Sequence, residues 1–322
     1  MSGPPRYDSF AVEVDGGTLQ VGRWGTGRPV VVAVHGITGT HRAFRALAEQ
    51  LGEEVTLVAP DLRGRGHSNQ VSGPFSMAAH ADDLVAVLDQ VGVQRATIVG
   101  HSMGGFVAVV AAHRHPQRVE RLVLVDGGLP LELGPLAGRP VEEIVAAVIG
   151  PALQRLRMTF PSTAAYLDFW RQHPALADDW NDYCEDLYSY DLEGEGLALR
   201  SGVREAAVLA DADSQLLSDD IPAALGALGH PTVLLRAPAG LLGAEPGLYP
   251  DAWLADWQQR IPGLRSLLVP GVNHYTILLT ERGAAAVAQQ VREELGLAPA
   301  PAGAGPVPPP PGGGGGAGGR PG

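Results

Sequence analysis

Apolar positions follow two rhythms along the chain. Near its start, FAVEV and TLQVGRW alternate apolar and polar residues around Asp15-Gly16-Gly17, the pattern of a β-hairpin. The β-branched run RPVVVAVHG (Arg28 to Gly36) reads as a strand buried on both faces. HRAFRALAEQLG sets Phe44, Leu47, Ala48 and Leu51 on one helical face and stops at Gly52. The strand VTLVAPD, the loop LRGRGHSNQ and the helix MAAHADDLVAVLDQVG follow, the last ended by Gly92. RATIVG, a helix beginning near Met103, and VERLVLVD ending at Asp126 continue the alternation. Regular strand–helix alternation predicts an α/β fold, a mostly parallel eight-stranded sheet flanked by helices on both sides.

The rhythm changes from about Gly127 to Leu228. Segments such as VEEIVAAVIGPALQRL carry helical periodicity, and no strand-like run interrupts them. A helical insertion between two sheet strands is expected to act as a cap or lid. PTVLLRAP, PDAWLADWQQRIP, RSLLVPG and ERGAAAVAQQVREELG then resume the alternation. The predicted organisation is a core of 1–127 and 229–297, a cap over 128–228, and a tail over 298–322. That tail is almost wholly Pro, Gly and Ala, which offers too little apolar surface to order itself.

Composition narrows the chemistry. A net charge of −12 argues against nucleic acid and anionic membrane surfaces as partners. No apolar run approaches 18 residues, and the opening stretch lacks the apolar core of a signal peptide. The single cysteine, Cys184, permits no internal disulfide and reads as a buried, inert thiol in a cytoplasmic protein. All 23 basic residues are arginine, which excludes a Schiff-base or P-loop lysine. No histidine falls in H-E-x-x-H, and His113 and His115 read as helix-terminal charges rather than metal ligands. No metal site is expected. Between Pro161 and Glu195 nine acids accompany a single arginine, which reads as a solvated acidic face. Eight of the 18 aromatics lie between Phe160 and Tyr190, most of them expected in the core between cap and sheet and a minority along a pocket.

Gly100-His101-Ser102-Met103-Gly104 fits G-x-S-x-G. With 12 serines and 43 glycines in the chain, chance alone gives about 0.2 such matches, so the pattern matters only in context. Here the serine falls where a predicted strand ends and a helix begins, at the sheet edge where α/β proteins keep their ligands. Ser102 is therefore the candidate nucleophile. His35-Gly36-Ile37-Thr38 closes the first buried strand, which makes the backbone N–H groups of Ile37 and Met103 the candidate oxyanion donors. His274, just after the last strand, is the candidate general base.

HGITG, APDLRGRGHS, VGHSMGG and NHYTIL occur in the order used by the α/β-hydrolase superfamily. Over about residues 9–297 the chain resembles a member of its serine-nucleophile branch. The resemblance implies a Ser–His–acid triad, no cofactor, and an acyl-enzyme route to hydrolysis of an ester, with an amide or C–C bond as lesser options. The expected partner is a small-molecule substrate. Two other readings stay open on the same scaffold: acyl transfer or peracid formation with the same triad, and, from a different class, a ligand-binding protein with a disabled site, which a missing triad acid would favour. One departure stands out. Where the family most often keeps its acid, after the strand that follows the cap, this chain has Pro238, Ala239 and Gly240. The candidates are then Asp126, at the end of the preceding strand, and Glu245, further along the loop. Asp126 is favoured because a strand would hold it rigidly.

Overall fold

The computed structural model describes residues 3–298. The predicted hairpin is present as β1 (Tyr7–Val14) and β2 (Gly17–Trp24), followed by β3 (Val30–Val34), whose five residues are all buried. A 3-10 turn at His41–Phe44 leads into α1 (Arg45–Leu51), then β4 (Thr56–Pro60) and α2 (Met77–Gln90). Next come β5 (Ala96–His101), α3 (Met103–Arg114) and β6 (Val119–Val125). The segment after β6 holds α4 (Val141–Gln154), α5 (Thr163–Arg171), α6 (Asp182–Tyr190), β7 (Leu192–Glu193), β8 (Arg200–Ser201), α7 (Glu205–Leu217) and α8 (Asp220–Gly226). The chain returns through β9 (Thr232–Arg236), α9 (Asp251–Arg260), β10 (Leu264–Leu268), α10 (Thr276–Leu279) and α11 (Glu281–Glu294).

Eight strands form one sheet in the order β1-β2-β4-β3-β5-β6-β9-β10. Pairing is antiparallel for β1–β2 and β2–β4 and parallel from β4 through β10. The unbroken apolar runs of β3, β5 and β6 are explained by their central places, since helices cover both faces. One core layer packs Phe106, Val109 and Leu84 of α3 and α2 against Val32, Ile98 and Leu122. The opposite layer packs Leu47 of α1 and Val287 and Val291 of α11 against Val31, Val99 and Val123.

The segment between β6 and β9 differs from the sequence expectation in two respects. A two-residue antiparallel ribbon, β7–β8, sits among its helices. Strands this short leave no periodicity to read, although Gly194 and Gly196, both at positive φ, mark the turn. In addition, α8 buries Ile221, Ala224 and Leu225 in the same layer as α3, so it belongs with the sheet rather than with the helices before it. The tail expectation for 298–322 lies outside the described residues except for Ala298, whose carbonyl accepts from Arg292 Nε at 2.7 Å.

Candidate active site

Ser102 occupies the sharp turn between β5 and α3, with φ 54° and ψ −123°. A side chain rarely adopts this left-handed conformation, and the surroundings hold it there. Ser102 N–H donates to Val125 O at 3.0 Å, and Ser102 O accepts from Gly105 N–H at 2.9 Å. The flanking glycines are required by space. A Cβ at Gly104 would sit 2.0 Å from Val34 O, and one at Gly100 would sit 2.3 Å from Gly104 O. Ser102 Oγ has no hydrogen-bond partner among the described residues, and Ser102 borders an apolar crevice.

His274 lies in the loop between β10 and α10. Its backbone N–H donates to Ala239 O at 3.1 Å, and the Asn273 carboxamide caps the loop by accepting from Tyr275 N–H and Thr276 N–H. His274 Nδ1 is 2.7 Å from Asp126 Oδ2, and both side chains are buried. A carboxylate only accepts, so the proton resides on Nδ1 and the Nε2 lone pair is left free. Asp126 is fixed in turn. Its N–H donates to Leu235 O at 2.7 Å, its Oδ1 accepts from Ala237 N–H at 3.1 Å, and its φ of 46° lies in the left-handed region that Asp tolerates better than most residues. The Pro238-Ala239-Gly240 stretch, which lacks an acid, therefore flanks the site with backbone groups instead. Glu245 is exposed and borders a separate groove with Asp178 and Asp179.

The N–H groups of Ile37 and Met103 have no acceptor among the described residues, and both residues line the crevice beside Ser102. Gly36 approaches closely: a Cβ there would lie 3.1 Å from Ser102 Cβ. His35 spans this loop, donating from Nδ1 to Gly36 O at 2.8 Å and accepting Leu62 N–H on Nε2 at 2.9 Å. His101 donates from Nε2 to the carbonyl of His274 at 2.9 Å, a contact that the sequence reading missed although the residue adjoins Ser102.

Burial holds His35 and His101 neutral, pulling the first down to about 4 and the second to about 3 from an ordinary value of 6.5. Between pH 6.5 and 4 these two histidines thus bind more protons in the unfolded chain than in the folded one, so the stability they contribute falls as pH falls. Each group contributes roughly 1.4 kcal/mol per pH unit in that window. Urea unfolding should show lower stability at pH 4.5 than at pH 6.5, and His101→Asn should flatten the slope. A level profile for the wild type would contradict this account.

Two arms of the crevice meet at Ser102 and His274. The larger encloses about 650 Å³, open solvent at its mouth included, and is mainly aliphatic, with Ile144, Val145 and Val148 from α4, Leu216 from α7, and Leu131 and Leu248. The smaller, about 580 Å³, runs past Gly36, Thr38, Leu187, Tyr188 and Tyr275. Of the eight aromatics between Phe160 and Tyr190, only Tyr188 lines either arm. Phe160, Tyr166 and Trp170 pack instead in a cluster with Tyr188, Leu176, Leu187 and Cys184, which Ala43 and Leu279 join. Cys184 is buried there, its thiol pushed up to about 11 by burial. The acids of this stretch are not a bare solvated face. Asp186 meets Arg42 and Arg45, Glu193 meets Arg200 and Arg204, Asp179 meets Arg282, and Asp191 is buried with Arg155. Their partners lie outside the window in sequence, which is why counting within it misled. At the end of α3, His115 pairs with Asp82. Among the described residues no group of three or more His, Cys, Asp or Glu could hold a metal ion, and no helix is long and apolar enough to cross a membrane.

Known proteins resemble this chain over part or most of its length. An uncharacterized protein of Mycobacterium tuberculosis (strain ATCC 25618 / H37Rv) is 41% identical over 103 residues, 31% of this chain and only 29% of that protein's length. The lipase LipV of the same organism is 29% identical over 284 residues, 86% of this chain and 98% of that one. Among solved structures, the crystal structure of E-2-(acetamidomethylene)succinate hydrolase superposes with a TM-score of 0.73 at 24% identity, covering 90% of this chain and all of that one, a likeness of fold alone. A family model described as the alpha/beta hydrolase fold matches residues 29–279. With that match spanning most of its length, the chain belongs to the α/β-hydrolase-fold family.

Proposed function

We propose that the protein is a serine hydrolase that cleaves an ester of a small, apolar acid or alcohol through an acyl-enzyme. The observation that carries this reading is the His274–Asp126 hydrogen bond facing the crevice that Ser102 borders. In the proposed reaction Ser102 Oγ attacks the carbonyl carbon while its proton passes to His274 Nε2. Negative charge develops on the carbonyl oxygen, where the unpaired N–H groups of Ile37 and Met103 receive it. His274 then returns the proton to the leaving alcohol as the C–O bond breaks. Water, deprotonated by His274, releases the acid by the same steps in reverse. The named lipase and hydrolase among the relatives support a hydrolytic reading. The absence of an acid after β9 was the feature favouring a disabled scaffold. It loses its weight because Asp126 faces His274 instead.

The aliphatic walls of the larger arm support an apolar chain over a charged one, since a carboxylate buried there would lack a partner. Two series of p-nitrophenyl and alkyl esters, lengthened on the acyl side and on the alcohol side, test this. On one side kcat/KM should rise from the acetyl or methyl ester to the chain of eight carbons, by about threefold or more per buried CH₂. Leu216→Trp should cancel that rise. Activity confined to short or anionic esters would overturn the assignment of substrate class.

A further inference from the structure

The loop carrying Ile37 is held by its carbonyls, one after another. Gly36 O accepts from His35 Nδ1 and from Gly39 N–H at 3.0 Å. Ile37 O accepts from Arg65 Nε at 3.0 Å, and Thr38 O accepts from Arg155 at 3.3 Å. In a trans peptide the N–H points opposite to the carbonyl of the same plane. Fixing Gly36 O therefore aims Ile37 N–H, and fixing the next two carbonyls stops the loop from rotating that plane. Both guanidinium groups are fully buried, so each needs a carboxylate. The β6–β9 segment supplies both. Arg65, from the β4–α2 loop, pairs with Asp211 of α7, whose carboxylate also meets His80 Nε2 at 3.0 Å. Arg155, just after α4, pairs with Asp191, which further accepts from Ser201 Oγ at 2.7 Å and from Tyr166 OH.

We infer that Arg65 and Arg155 are positioning residues that tie the seating of the β6–β9 segment to the aim of the Ile37 N–H group. Neither touches the reacting atoms; each acts through a loop carbonyl. Folding the segment onto the sheet brings Asp211 to Arg65, and it brings Arg155 to Thr38 O. Gly36 O is held within the loop by His35 and Gly39, and the carbonyls of Ile37 and Thr38 are clamped in full when the segment is docked. This inference rests on the serine-hydrolase reading for its catalytic consequence, but the clamp itself is a property of the loop.

Arg65→Lys and Arg155→Lys keep the charge opposite each carboxylate but lose the planar fork that serves two acceptors at once. Three measurements on the full chain separate the outcomes. Fluorophosphonate labelling at its end point counts competent sites, initial rates with a short p-nitrophenyl ester give kcat and KM per labelled site, and amide hydrogen exchange reports on residues 36–40. Each variant should label fully yet lose about 10²-fold in kcat with KM changed less than threefold, as expected when a group is displaced by about 1 Å. Exchange at 36–40 should rise in both variants. A lower melting temperature with unchanged kcat per labelled site would reduce the arginines to structural supports and overturn the inference. Should the wild type neither label nor turn over, the hydrolase reading fails and exchange alone decides: an unaltered 36–40 loop in both variants defeats the clamp, and a loosened one supports it. Asp211→Asn, which leaves Arg65 in place, should loosen the same loop and covers the case where Arg65→Lys does not fold.

Discussion

Ser102→Ala should abolish fluorophosphonate uptake, which in the wild type should reach one equivalent per chain, and should lower ester turnover by at least about 10⁴-fold. The expectation follows from the turn itself. Ser102 is held at φ 54° by hydrogen bonds on both sides of its backbone, and its hydroxyl has no partner among the described residues that would absorb its reactivity. Alanine has no less tolerance for that backbone than serine, so the variant should keep the wild-type circular dichroism spectrum and melting temperature. The comparison therefore isolates the hydroxyl. A folded wild-type protein that takes up no label would move the assignment to a ligand-binding protein using the same crevice. Turnover surviving in Ser102→Ala would mean that another nucleophile serves the site.

How much of this was legible in the sequence depends on the range of the interaction involved. The strands and the elbow could be read because buried central strands write unbroken apolar runs, as in Val30–Val34, because the β1–β2 hairpin alternates around a glycine turn, and because a strand-to-helix turn around Ser102 needs small residues close by. Candidate residues at strand ends were legible for the same reason: Asp126 and His274 fall where predicted strands stop. What the sequence hid are pairings between distant segments. Arg65 and Asp211 are 146 positions apart, and nothing in LRGRGHS indicates that one arginine is fully buried against α7 while its neighbours do other work. Arg155 and Thr38 are 117 positions apart and equally silent. The aliphatic wall was visible as helical periodicity in VEEIVAAVIG. Periodicity, however, does not say whether an apolar face meets core or crevice, and the abundance of aromatics drew attention to residues that pack against one another. Local rules recover the frame; the docking of the inserted segment determines the site's shape.

Asp126→Asn should cut kcat by about 10³–10⁴-fold at neutral pH, and the hydrogen bonds around Asp126 explain why an isosteric change does so much. The carboxylate has two distinct acceptor duties, Oδ1 toward Ala237 N–H and Oδ2 toward His274 Nδ1. An asparagine has only one oxygen. Turned one way, it would set its NH₂ against Ala237 N–H, two donors facing each other in a buried site. Turned the other way, it keeps the bond to Ala237 and donates to His274 Nδ1. The second orientation satisfies every buried group, so it prevails, and it drives the imidazole proton to Nε2. His274 then presents a proton where it should present a lone pair, and Ser102 has no base. The fold should survive, because asparagine accepts the left-handed φ of 46° as readily as aspartate does. Unchanged thermal unfolding together with the loss of turnover is the expected pair of results. Glu245→Gln should change kcat by less than about twofold, since the residue is exposed and has no hydrogen bond to His274. A large loss in Glu245→Gln with a mild one in Asp126→Asn would transfer the role to the loop acid. If both variants stay active, the histidine works without a carboxylate, and His101, which holds the His274 carbonyl, becomes the group to vary next.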